Sequence, residues 1–254
     1  MLTGSTMNVR RLQRVRTGVE REPRLYSRNY IDRRQAVVSQ YLEEMRLLMY
    51  AMEMVMKQID FWFSIGSTYS YLTIMRLMDV ERKTKVLFNW HPFSVRSIMM
   101  EMENIPFANK PVKARYMWRD IERRAGMYGI PVAVPAPYPL EHFDLANKVA
   151  VLGRAEGWCR DYTIATYKRW FQDGQSAGGE PNLTNSLIEI GQDPDRVVER
   201  ANSPEIESAY RLSTETAREL GIFGAPTFAV GEELFWGDDR LEDAISRSRV
   251  GRGR

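Results

Sequence analysis

An α/β fold, its small sheet split by a long helical insertion, is what the sequence predicts, on three observations. First, the apolar run Ile59-Asp60-Phe61-Trp62-Phe63 reads as a strand, is followed by helical spacing over Ser70–Thr84, and then by a second strand over Lys85–Pro92. Second, the next stretch carries helical patterns at about 112–128, 139–172, 184–191 and 194–221. Third, two short strands, at 226–230 and 233–236, precede a final helix at 239–248.

Breakers set the edges of these elements. Pro131, Pro135, Pro137 and Pro139 make 130–139 a non-helical loop, because proline lacks the N–H a helix needs. Gly174, Gly178, Gly179 and Pro181 interrupt the helices near 175–181. The chain ahead of the first strand is different in kind. Residues 1–34 are rich in arginine and poor in apolar groups, so they cannot bury enough surface to fold alone and are read as disordered. Residues 36–56 show helical spacing rich in Met and Leu. Three readings of this leader stand: an accessory helix, a targeting segment, or a start codon placed too early. Glu20, Glu22 and Asp32 weigh against the targeting reading, since transit peptides avoid acids.

Charge and cysteine content exclude several function classes. Residues 1–57 hold 11 Lys/Arg against 6 Asp/Glu, and the remaining residues hold 25 against 27, so the basic excess belongs to the leader. The body has no basic stripe, which argues against a nucleic-acid partner. A single cysteine, Cys159, excludes an internal disulfide and a cysteine-based zinc cluster, and two scattered histidines, His91 and His142, give no metal site. No run of 18 apolar residues exists, so no membrane span is expected, and no apolar signal-peptide core is seen. A cytoplasmic location is the resulting expectation.

The chemistry concentrates between the first strand and the first helix. Residues 67–70 read Ser-Thr-Tyr-Ser, where a thioredoxin-type oxidoreductase would carry Cys-x-x-Cys. Gly224-Ala225-Pro226-Thr227-Phe228 looks like the cis-proline loop that faces that helix start in thioredoxin-like folds. Hydroxyls in place of both sulfurs remove disulfide exchange but leave a place to hold a thiol. A helix N-terminus favours an anion, and a serine hydroxyl donating to sulfur would shift a thiol, ordinarily near ~8.5, towards thiolate. The plainer reading of Ser67 is an N-cap.

Four ordered segments carry a family resemblance. Asp60-Phe61-Trp62-Phe63-Ser64-Ile65-Gly66-Ser67-Thr68-Tyr69-Ser70-Tyr71-Leu72 resembles the opening of the 2-hydroxychromene-2-carboxylate isomerases, which belong with the kappa-class glutathione transferases in the DsbA-like branch of thioredoxin folds. Asn104-Ile105-Pro106 leading to Lys113 and Tyr116-Met117-Trp118-Arg119-Asp120, the run Gly221–Phe228, and Leu234-Phe235-Trp236-Gly237-Asp238-Asp239-Arg240-Leu241 are similar to three further family segments. The resemblance extends from about residue 58 to 247.

The resemblance implies a thioredoxin-like domain of the DsbA/kappa type at 58–93 and 222–250, with an all-helical domain inserted at 94–221. It implies a glutathione-dependent isomerase acting on a small aromatic carboxylate, with a homodimer allowed because relatives commonly pair. Carried over by position, Ser67 contacts the glutathione sulfur as the catalytic residue, with Thr68 and Tyr69 beside it. The backbone of Ala225 before Pro226 pairs with the cysteinyl part, and Asp238 and Asp239 receive the γ-glutamyl ammonium. Asn104 faces glutathione or substrate, and Lys113 neutralises a substrate carboxylate. Plainer roles exist: Asp239 and Glu242 are spaced as a capping box, Lys113 and Asp120 suit a solvated helix face, and most of the aromatics, with Cys159, suit a core. Two positions depart from the family pattern: Thr68 replaces a proline and Ser64 an aspartate. The rivals to the isomerase are a kappa-like glutathione transferase and a non-catalytic thioredoxin-like binding protein.

Overall fold

β1 (Gln58–Phe63) is the strand on which the sheet is assembled, and its sequence is apolar on both faces: Ile59, Phe61, Trp62 and Phe63 are all buried. In the computed structural model, which describes residues 37–47, 58–104, 107 and 110–250, the chain divides into two units, Met1–Met52 and Glu53–Arg254. In the first, residues 37–47 are helical, within the stretch whose spacing reads as helix. The disorder expected of residues 1–34 lies outside the described residues.

In the second unit, β1 leads through a loop to α1 (Ser70–Thr84) and back to β2 (Leu87–Pro92), which pairs parallel to β1 with Asp60 opposite Asn89 and Phe63 opposite Pro92. The helices α2 (Val95–Glu101), α3 (Pro111–Tyr128), α4 (Phe143–Glu156), α5 (Cys159–Gln172), α6 (Asn182–Glu189), α7 (Pro194–Ala201) and α8 (Pro204–Glu219) follow. The chain then returns as β3 (Thr227–Val230), β4 (Glu233–Trp236), a 3-10 turn at Asp238–Arg240 and α9 (Leu241–Arg249). The strand order is β2-β1-β3-β4, with β3 antiparallel to both its neighbours. The arrangement is thioredoxin-like, a mixed sheet with a helical insertion between β2 and β3.

The core follows from β1. Phe61 stacks on Phe63 at 5.3 Å and on Phe228 of β3 at 5.5 Å, and meets the Trp90 edge at 5.0 Å. Burying each such ring stabilises by roughly 1.5–3 kcal/mol. Tyr71 of α1 stacks on Phe171 of α5 at 4.2 Å, which fixes the insertion against the helix that follows the first loop.

The boundaries depart from the sequence pattern where local caps intervene. The helical pattern at 139–172 is two helices, because Gly157 ends α4 in the left-handed region (φ +89°) with its N–H on Gly153 O. The pattern at 194–221 is also two, since the Ser203 side chain accepts from Ile206 N–H and Pro204 opens α8. Lys85 is the left-handed C-cap of α1, so β2 begins later than the pattern suggests. α2 is an addition, a short helix capped by the Ser94 side chain. Among the described residues no helix is long and apolar enough to cross a membrane.

Candidate thiol-binding site

The loop Ser64–Tyr69 joins β1 to α1 and carries Ser67. Two buried side chains of the insertion fix its backbone. Asn147 of α4 accepts from Ile65 N–H at 2.8 Å and donates to Ile65 O at 2.8 Å and to Phe143 O at 2.8 Å. The Tyr167 hydroxyl of α5 lies 2.9 Å from Ser64 O and 3.0 Å from Ser67 O. Burial pushes the Tyr167 phenol up from its ordinary value, so it keeps its proton to donate. Gly66 sits at φ +130° against the Phe143 ring, and a Cβ there would come within 2.5 Å of two ring carbons, so no other residue fits without displacing Phe143.

Ser67 does not cap α1. The helix starts at Ser70, with Tyr69 in the N-cap position and no side-chain cap bond. Ser67 instead donates its hydroxyl to the carbonyl oxygen of Ala225 at 2.6 Å. The Ala225–Pro226 peptide is cis. Pro226 O accepts from Gly237 N–H at 2.9 Å, which sets the two aspartates directly beside the proline loop. No acidic residue stands in the first turn of α1, so the positive end of that helix is not neutralised within its own turn.

Helix α3 closes one side. The Thr68 hydroxyl meets Met117 Sδ at 3.1 Å, the Tyr69 hydroxyl donates to Asp120 Oδ2 at 3.0 Å, and Arg124 reaches Asp238. Met117, Asp120 and Arg124 are spaced i, i+3, i+7 and share one face, and Lys113 stands one turn before Met117 on that face. Asp120 is thus a partner of the loop and not merely part of a solvated face. Burial, then the bond to Asp120, pushes the Tyr69 phenol up. Beyond it runs an aromatic lane: Phe171, Trp118 at 6.2 Å from it, Tyr138 at 6.1 Å, Phe107 at 6.0 Å, and the Lys113 ammonium 5.8 Å from the Phe107 centroid.

The aspartates differ in setting. Asp238 is buried and takes Arg124 Nη2 at 2.7 Å and Nε at 3.1 Å on one oxygen, Oδ2. Burial raises its carboxyl above the ordinary value, with Arg124 pulling against it. Asp239 is half exposed and pairs with Arg240 at 2.9 Å; burial opposes, but that pair holds its carboxyl below the ordinary value. The capping box is not formed: Glu242 pairs with Arg76 at 2.7 Å, and α9 has no side-chain cap.

Ser67, Thr68, Tyr69, Ala225, Pro226, Asp238 and Asp239 therefore adjoin one another. Asn104 and Lys113 lie on the α2–α3 side. Asn104 is exposed with its N–H on Met99 O at 2.8 Å, and among the described residues neither Asn104 nor Lys113 bonds to the Ser67 loop. Asn147, Tyr167 and Arg124 escaped the sequence reading. The helical spacing from Met117 points to Arg124, and a lone Asn within the apolar run of α4 points to Asn147; Tyr167 sits among aromatics that sequence cannot tell from core. Cys159 is buried, eight residues or about 12 Å along α5 from Tyr167, and burial pushes its thiol up to about 12.

The DsbA-like thioredoxin domain family matches residues 58–247. A 2-hydroxychromene-2-carboxylate isomerase of Sphingobium xenophagum is 30% identical over 188 residues, covering 73% of this chain and 95% of that protein. The solved structure of a 2-hydroxychromene-2-carboxylate isomerase superposes with a TM-score of 0.67 at 26% identity, covering 75% of this chain and 95% of that one. A glutathione S-transferase kappa 1 of Caenorhabditis elegans is 23% identical, covering 72% of this chain and 87% of that protein. With a fold, a serine-for-cysteine loop and relatives that agree over three quarters of its length, the chain belongs to the DsbA-like thioredoxin family and, within it, to the family of the 2-hydroxychromene-2-carboxylate isomerases.

Proposed function

We propose that the chain is a glutathione-dependent isomerase that acts on a small aromatic carboxylate of the hydroxychromene type. The observation that carries this reading is the Ser67 hydroxyl, aimed at Ala225 O beside cis-Pro226, in a loop that has hydroxyls where a redox enzyme has sulfurs. We assign residues 58–93 and 222–250 to the thioredoxin-like part and 94–221 to the helical insertion.

The residues suit a thiol-bearing tripeptide. Ser67 supplies a hydroxyl for the sulfur, Ala225 a backbone for the cysteinyl part, and Asp238 and Asp239 negative charge for an ammonium. Glutathione held by these residues would supply a thiolate nucleophile for reversible addition to an unsaturated substrate carbon, and as a cofactor it would be regenerated.

The protein's part is to hold and poise. The Ser67 hydroxyl has one proton, and a hydroxyl rotates to suit its acceptor. Turned from Ala225 O to sulfur, it gives the thiolate a hydrogen bond of the charged class, about 1.5–3 kcal/mol, which corresponds to roughly 1–2 pKa units. That lifts the thiolate share at neutral pH from about 3% to about a quarter or more. Tyr167 and Asn147 keep the loop in register for this donation. The aromatic lane from Phe171 to Phe107 suits a flat ring, with Lys113 at its end for the carboxylate and Asn104 as a further polar contact.

The kappa-type relative supports a second reading, conjugation. Incubating the full chain with 2-hydroxychromene-2-carboxylate and substoichiometric glutathione separates them. Recovered free glutathione with rearranged product supports the isomerase, whereas a stable thioether that consumes glutathione supports the transferase.

A further inference from the structure

Arg124 and Asp238 face each other in a way that leaves both unfinished. An arginine–carboxylate pair at its strongest is fork to fork, two donors on two oxygens. Here Arg124 approaches side-on, placing both Nε and Nη2 on Oδ2 alone, while Nη2 also reaches the Tyr128 hydroxyl at 3.0 Å. Arg124 Nη1 and Asp238 Oδ1 have no hydrogen-bond partner among the described residues, although neither atom is among the fully buried polar atoms left unpaired. The Arg124 side chain keeps 23% of its surface exposed and the Asp238 side chain 4%, so the guanidinium is the more accessible half.

The pair adjoins the thiol site. Asp238 follows Gly237, whose N–H holds Pro226 O, and Arg124 stands on the α3 face whose Met117 and Asp120 contact Thr68 and Tyr69. A cation and an anion side by side, each with a free valence, complement a ligand group that carries an ammonium and a carboxylate on one carbon. The γ-glutamyl end of glutathione is such a group.

We infer that Arg124 binds the α-carboxylate of the γ-glutamyl residue through Nη1, while the Asp238–Asp239 side of the pair takes its ammonium. The inference rests on the glutathione reading above. It adds the anion-binding half of the subsite, and it requires the α3 helix of the insertion to contribute to cofactor selection.

The test is calorimetric binding of two tripeptides to the full chain: reduced glutathione, and 4-aminobutanoyl-cysteinyl-glycine, which lacks only the α-carboxylate. The native protein is expected to bind the second about 10- to 100-fold more weakly, the size of one charge-assisted contact. Arg124→Gln is expected to bind both equally weakly. Should Arg124→Gln fail to fold with Asp238 left unpaired, the double variant Arg124→Gln/Asp238→Asn, which removes both charges, takes the same comparison. A native protein that binds glutathione without discriminating between the two ligands, or a variant that keeps the native discrimination, overturns the role of Arg124 alone. A native protein that binds neither ligand removes the glutathione reading and this inference with it.

Discussion

The Ser67 hydroxyl spans 2.6 Å to the carbonyl oxygen of Ala225, joining the loop after the first strand to the residue before cis-Pro226, 158 positions downstream. The bond is side chain to backbone and half buried, so its loss costs the fold only about 1 kcal/mol. Under the proposed function its loss to the chemistry is larger, because there Ser67 turns from Ala225 O to donate to the glutathione sulfur. Ser67→Ala is expected to lower turnover by about 10-fold or more, the equivalent of one charge-assisted bond, while thermal unfolding shifts by a few degrees at most. Unchanged turnover would refute the role.

Asn147 and Tyr167 hold the same loop from behind, and their removal should act differently. Asn147→Ala strands the buried N–H and C=O of Ile65, at about 1–3 kcal/mol each, so denaturant unfolding should report a loss of about 2–6 kcal/mol. Tyr167→Phe keeps the ring in its packing and removes only the donor to Ser64 O and Ser67 O. We expect a small stability change with a clear drop in kcat. A Tyr167→Phe enzyme with native kcat would show that Asn147 alone suffices to place Ser67.

Cys159 offers a control on the non-redox reading. Its thiol is buried and pushed up to about 12, so almost none of it is thiolate at pH 8. A disulfide reagent is expected to label nothing in the native protein over minutes and the single cysteine once denaturant is added. Fast native labelling would contradict the packing of α5.

Acid stability should register Asp60. Its carboxyl is held below the ordinary value, first by the hydrogen bond from His91 at 2.9 Å, with burial opposing and Asn89 assisting. A depressed carboxyl stabilises the fold fully above its unfolded value near ~3.9 and loses that contribution as pH falls through the folded value. Native protein should therefore be more stable than Asp60→Asn at pH 6, with the gap closing as the pH falls below about 4. A gap independent of pH would mean that the variant acts by packing.

Sequence carried the fold far because its signals are local. A strand apolar on both faces, a helix start and a proline loop each announce themselves within a dozen residues, and their order gives the topology. What it missed depends on pairs distant in the chain. Ser67 looks like a cap until Ala225 is seen opposite it, and Asp239 with Glu242 looks like a capping box until Arg240 and Arg76 are found to hold them. Helical spacing from Met117 puts Arg124 on the loop-facing side of α3, but its meaning comes from Asp238, 114 positions away. The single stretch read as one helix over 139–172 failed at Gly157, where only the left-handed backbone shows that α4 ends.

The measurement that bears most directly on the central claim is calorimetric titration of the full chain with reduced glutathione, run beside Ser67→Ala, with thiolate absorbance followed against pH in both mixtures. Saturable binding by the native protein is expected, with the bound thiol ionising about 1–2 units below free glutathione and that shift lost in the variant. No heat at millimolar ligand, or a thiol that titrates alike bound and free, would contradict a site built to hold glutathione as thiolate.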